Sequence, residues 1–178
     1  HIGYAKGLAY TPVGGETLEI EVSSYPGKEE FITSGHLGET LKESIAVSLG
    51  YIKSNMKEFG IKKEQFNETL HINFREGGIP KEGPSAGTII TSAILSYLTK
   101  KEIPSNISSS GEITLLGDVL KIGGLREKTL AAINNNIDTI YLSIDNKVDV
   151  EELPKEIKDK INFKYIRNYK EMFKDIFK

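Results

Sequence analysis

Polar and apolar residues follow two distinct periods along the chain, and these divide it into strands and helices. Gly3 to Tyr10 and Thr17 to Val22 alternate with a period of two, as half-buried strands do, and Pro12-Val13-Gly14-Gly15 supplies the turn between them. After a glycine-rich break at Gly35 to Gly38, the apolar residues Leu41, Ile45, Leu49, Ile52, Met56 and Phe59 recur every three or four positions. That spacing predicts one long amphipathic helix from Glu39 to Phe59, closed by Gly60. Leu70, Ile72 and Phe74 fall on one face of a short strand. Ser85 to Leu98 is small or apolar almost throughout, which predicts a buried helix. Gly117-Asp118 lies between Ile113 to Leu116 and Val119 to Ile122, a hairpin signal. A helix over Leu125 to Asn134, a strand over Thr139 to Ser143, a polar helix over Asp149 to Lys160, a strand over Ile161 to Ile166 and a last helix over Tyr169 to Phe177 complete the pattern.

These elements mix without a fixed repeat or an obvious linker, so the expectation is one α/β domain of mixed α+β character over residues 1–178. With 38% hydrophobic residues the chain can build a core of its own. A net charge of −2, with no basic stripe, leaves no nucleic-acid footprint. The absence of cysteine excludes disulfides, thiolate metal sites and a cysteine nucleophile. No apolar run approaches the ~18 residues that a membrane span requires. The chain opens at His1 and shows no signal-peptide pattern, and is read as part of a longer soluble protein.

The sharpest local feature is Pro80-Lys81-Glu82-Gly83-Pro84-Ser85-Ala86-Gly87, where a serine stands between a loop rich in glycine and proline and a buried helix. Pro84 suits a first helical turn. Backbone N–H groups at a helix start lack intrahelical acceptors and can stabilise an oxyanion. Two readings fit Ser85: a nucleophile, or a side chain that caps the helix.

A nucleophilic serine needs a base. The histidines are His1 at the chain end, His36 in a glycine turn and His71 in a strand, and none has a distinguishing context. Among the 20 lysines, Lys128 stands apart. Leu125, Ala131 and Ala132 flank it at helical spacing, and it lies in the first turns of its helix, where the dipole disfavours a cation. Burial and dipole both lower a lysine pKa. Reaching pH 7 from ~10.4 would demand about 4 to 5 kcal/mol. An ordinary lysine, its stem packed and its amine in water, also fits. Lys121 alternates with Leu120 and Ile122 on a strand and should point away from their face, and Lys81 is expected in solvent.

Taken together, the segment Pro80 to Gly87 and the segment Gly123-Gly124-Leu125-Arg126-Glu127-Lys128 resemble the nucleophile and catalytic-lysine motifs of the Lon protease family. Their serine and lysine are 43 residues apart, the interval expected for that family. Thr11-Pro12-Val13-Gly14-Gly15, Gly35-His36-Leu37-Gly38-Glu39 and Ser110-Gly111-Glu112-Ile113-Thr114-Leu115 fit as well, so the resemblance runs from about Gly3 to Ile176.

The resemblance implies a single Lon proteolytic-type domain, related to the ribosomal protein S5 domain 2-like fold. It implies an ATP-dependent serine endopeptidase with a Ser-Lys dyad, in which Ser85 is the nucleophile and Lys128 the base. Ser110 takes the place of a threonine that usually hydrogen-bonds the lysine. Glu82, Gly83, Pro84 and Ala86 would shape the site, and Glu76, Gly77, Gly78 and Ile79 would receive extended polypeptide substrate. Where many relatives carry two histidines before that loop, this chain has His71 and Asn73.

The family's ATPase module and N-terminal substrate-binding region are not recognisable, and no Gly-x-x-x-x-Gly-Lys-Ser/Thr loop occurs. ATP and Mg are therefore expected outside this domain, which itself needs no cofactor or metal. The whole protein is expected to be a homohexameric ring for protein quality control, in the cytoplasm, or in the mitochondrial matrix if eukaryotic. A catalytically silent assembly domain of the same fold is the alternative, and an esterase or peptidase with a histidine base is a third reading.

Overall fold

A computed structural model describes residues 1–76, 81 and 83–178. Four strands form the first sheet: β1 (Tyr4–Thr11), β2 (Gly14–Tyr25), β3 (Phe31–Ser34) and β4 (Thr69–Phe74), in the order β1-β2-β4-β3. The first three in that order pair antiparallel, and β3 joins β4 in parallel. Ile20, Val22, Leu70, Ile72 and Phe74 point inward, as their alternation predicts. The outer face carries a polar chain. Tyr4 donates to Glu19, Arg75 pairs with Glu19 and Glu21, Asn73 donates to Glu21, and Ser34 bonds both Asn73 and His71.

Against the inner face lie α1 (Glu39–Ser54) and α3 (Gly87–Thr99). The predicted single helix from Glu39 to Phe59 is in fact two. Asn55 leaves helical geometry, with φ −133°, and its side-chain amide donates to Tyr51 O. A short α2 (Met56–Phe59) follows, and Gly60 ends it in the left-handed region as expected, at φ 70°. Helix α3 is buried on almost every side, its hydroxyls included. Thr91, Ser92 and Thr99 donate to the carbonyls of Gly87, Thr88 and Leu95, so that no buried hydroxyl in the helix is wasted. The helix starts two residues later than its composition suggests, which leaves Pro84 outside the first turn and Ser85 in the turn before it.

A second, parallel sheet is formed by β5 (Ile107–Ser110), β8 (Thr139–Ser143) and β9 (Asn162–Ile166), in the order β5-β8-β9. Beside it, α4 (Leu125–Asn134) closes a smaller core of Leu8, Ile122, Leu125, Ala131, Ala132, Ile140 and Leu142. The predicted hairpin is narrower in its strands and wider in its turn: β6 (Glu112–Ile113) pairs with β7 (Val119–Leu120), and Thr114 to Asp118 form the loop. The polar helix breaks at Pro154 into α5 (Lys147–Glu151) and α6 (Lys155–Lys158), because proline lacks the N–H that a helix interior needs. The last helix, α7 (Tyr169–Ile176), inserts Tyr169 into the main core, where its hydroxyl meets Ser92 at 2.7 Å. Strands β3 and β5 escaped the sequence pattern, since neither Phe31-Ile32-Thr33-Ser34 nor Ile107-Ser108-Ser109-Ser110 alternates. Among the described residues, no helix is long and apolar enough to cross a membrane.

Fully buried Asn146 ties the approach to α4 to the smaller core: its side chain accepts from Ile122 N and donates to Ile122 O, each at 3.0 Å. Asn146→Ala would strand both backbone groups, at a cost of about 3 kcal/mol. Chemical denaturation should show that loss; a change within 0.5 kcal/mol would mean that water replaces the amide without penalty.

Candidate active site

A cavity of about 570 Å³ opens between the first sheet, the turn before α3 and the start of α4. Leu8, Leu18, Leu41 and Ile122 form its apolar wall, while Ser85, Lys128, Glu76, Gly83, Pro84 and Ala86 also line it. The serine and the lysine singled out in the sequence thus face the same space.

Local geometry explains how they meet. The chain turns through Gly83, whose φ of 110° favours glycine, and through Pro84 before Ser85. Gly111 then holds that turn from both sides: its N–H donates to Ser85 O at 2.8 Å, and its carbonyl accepts from Thr88 N at 3.0 Å. Gly87 permits this approach, because a Cβ there would stand 2.9 Å from Ile113 N. Ser85 caps nothing: Ala86 occupies the N-cap position of α3, and no side chain caps that helix. The capping explanation for Ser85 is therefore removed.

Lys128 enters from α4. Its Nζ donates to Ser85 Oγ at 3.2 Å and to Ser110 Oγ at 3.1 Å. Only 4% of the residue is accessible to solvent, so its amine has exchanged bulk water for two hydroxyls. Burial pushes its pKa down to about 8. The cause is desolvation, as the apolar flanks Leu125, Ala131 and Ala132 suggested. Ser110 sits at the end of β5, next to Gly111, so the same strand end fixes the serine turn and orients the lysine.

Other expectations fare differently. Lys81, expected in solvent, is buried; its Nζ donates to Gly35 O at 2.8 Å and to Glu76 O at 2.6 Å. Two convergent carbonyls replace its water shell, and burial lowers its pKa. Lys121 stays exposed at the cavity rim. Neither His36 nor His71 lines the cavity, and His71 bonds Ser34 at 2.8 Å on the outer face of the first sheet. Glu82, Gly77, Gly78 and Ile79, assigned to the site by resemblance, lie outside the described residues. Among the described residues, no cluster of histidine and acidic side chains could hold a metal ion. Sequence reasoning passed over Tyr10, Leu18 and Leu41, which line the cavity only because the hairpin of β1 and β2 and the helix α1 fold over it.

Comparison with known proteins identifies the class of domain to which this chain belongs, a proteolytic domain. The family model for the Lon protease (S16) C-terminal proteolytic domain matches residues 1–178, and the chain belongs to this family. It is 42% identical over 178 residues to the Lon protease of Mycoplasma mycoides subsp. mycoides, covering 99% of this chain and 22% of that protein. It is 44% identical over 177 residues to the Lon protease of Mesomycoplasma hyopneumoniae, covering 99% and 20%. With the Lon protease of Fusobacterium nucleatum subsp. nucleatum it shares 43% over 178 residues, covering 99% and 23%. The chain thus spans about a fifth of the length of these curated relatives.

A lysine with a depressed folded pKa binds fewer protons folded than unfolded, so stability rises with pH between the two values. For Lys128 that window runs from about pH 8 to the ordinary lysine value of 10.5. Relative to Lys128→Met, the wild-type chain should gain about 2 to 3 kcal/mol between pH 7 and pH 10. Urea unfolding across that range measures it, and a difference independent of pH would show that the amine is hydrated.

Proposed function

We propose that the chain is the peptide-cleaving part of an ATP-dependent serine endopeptidase, with Ser85 as nucleophile and Lys128 as general base. The single observation that carries this reading is the 3.2 Å separation of Lys128 Nζ from Ser85 Oγ, with the lysine almost wholly withdrawn from water. As the neutral amine, Lys128 turns its lone pair to the serine hydroxyl while still donating to Ser110. Ser85 Oγ attacks the scissile carbonyl carbon as its proton passes to Nζ. Backbone N–H groups of the Ser85–Ala86 turn, ahead of α3, would stabilise the developing oxyanion. Collapse expels the amine, which takes the proton back from Lys128 and leaves Ser85 acylated. Water then attacks the ester, with Lys128 again accepting the proton.

Ser110 keeps the amine aimed at Ser85. Glu76 to Ile79 would pair with an extended substrate strand, Gly83, Pro84 and Ala86 would shape the approach, and Glu82 would set the resting conformation. The relatives are named Lon proteases. On our reading the whole protein would degrade unfolded, damaged or regulatory proteins as a homohexameric ring in the cytoplasm. Its ATP and Mg would be bound by another module, leaving this domain without a cofactor.

Ser85→Ala should abolish reaction with a fluorophosphonate probe, and Lys128→Met should slow it at least 100-fold at pH 8. His71→Ala should change it less than twofold. Mass spectrometry of the labelled chain decides: an adduct on a residue other than Ser85 would overturn the nucleophile, full labelling of the Lys128 variant would overturn the base, and a wild-type chain that takes no label would leave the silent assembly domain.

A further inference from the structure

The base of the proposed dyad is aimed by a strand pair that touches neither reacting atom. Tyr10 of β1 and Gly15 of β2 face each other as one rung of their antiparallel ladder, next to the turn that joins the strands. Both ends of this rung press on the start of α4. A Cβ added to Gly15 would overlap the carbonyl oxygen of Glu127, lie 2.5 Å from its carbonyl carbon and stand 3.2 Å from Lys128 N. Across the rung, a Cβ added to Gly124 would stand 2.7 Å from both Cβ and Cγ of Tyr10. Gly124 is the N-cap of α4, at φ 66°, and its carbonyl accepts from Lys128 N at 2.9 Å. The rung therefore bears on both ends of the first hydrogen bond of the helix, whose donor belongs to Lys128.

We infer that the Tyr10–Gly15 rung positions Lys128: by seating the first turn of α4 against bare backbone, it sets how deeply the amine sits beside Ser85. This inference rests on the dyad reading above. Helix α4 is one rigid body of ten residues, so an outward push at Glu127 must carry Lys128 with it. A displaced Nζ loses Ser85 and Ser110 and gains water. Its neutral form then becomes scarcer at neutral pH. Bulk at position 15 is excluded by backbone, which cannot rotate aside as a side chain can. The rung lies at the turn end of the hairpin, where Val13 in the turn is 89% exposed and Tyr10 58% exposed.

The test is the pH dependence of fluorophosphonate labelling of Ser85. In the wild-type chain the rate should rise with a midpoint near 8, where burial places Lys128. Gly15→Ala should raise that midpoint by about one unit, which is about tenfold slower labelling at pH 7. Tyr10→Ala, at an exposed position that tolerates truncation, should raise it in the same direction, and it decides the matter if Gly15→Ala does not fold. Val13→Ala should leave rate and midpoint unchanged. A folded Gly15→Ala with reduced amplitude and an unmoved midpoint would overturn the inference, as would an unmoved midpoint in Tyr10→Ala. A wild-type profile without this rise, or one that persists in Lys128→Met, would instead sink the dyad reading itself.

Discussion

An amine beside a serine can act as a base near neutral pH only if water is kept from stabilising its charged form. Everything around Lys128 serves that constraint. Its head meets Ser85 and Ser110, and 4% exposure leaves almost no hydration to favour the ammonium. The two hydroxyls make this tolerable, because they give the buried nitrogen partners without supplying a counter-charge. An acidic partner would have had the opposite effect and held the lysine protonated.

The partners of that amine come from separate parts of the chain, and one short strand end unites them. Ser110 ends β5, the neighbouring Gly111 grips both the carbonyl of Ser85 and the first turn of α3, and β5 is itself held in the parallel sheet by β8. A shift of that strand end would move nucleophile and base together. On the opposite side, buried Lys81, four residues upstream of the serine, ties Glu76 to the turn at Gly35. Two buried lysines thus line one cavity with different partners. Lys81 is met by backbone carbonyls, which stabilise an ammonium, and Lys128 by hydroxyls, which can also serve the neutral amine.

Membership in the Lon proteolytic family and the approach of Ser85 to Lys128 are independent observations. The first concerns likeness along the whole chain, the second a distance between two side chains. Only the second names residues, and it brings together Ser85 and Lys128. The histidine reading loses its ground for a physical reason: β4 alternates, so the residues that send Leu70, Ile72 and Phe74 inward send His71 and Asn73 to the outer face.

Much of this was determined by the sequence alone. Periodicity located the ends of α4 and of β8, Gly60 marked the close of the first helical region, and the paired motifs singled out Ser85 and Lys128. These properties are local, or repeat along one element, and so can be read from neighbours in the chain. Tertiary structure decided the rest. Asn55 breaks the first helix by turning its amide to Tyr51 O, and β5, a run of serines without alternation, becomes a strand only because β8 pairs with it. The burial of Lys81 depended on two carbonyls distant in sequence, and Gly15, which reads as an ordinary turn residue, matters because a helix more than a hundred residues later rests on it. Solvation and close approach are properties of surroundings, and those surroundings exist only once remote segments have packed.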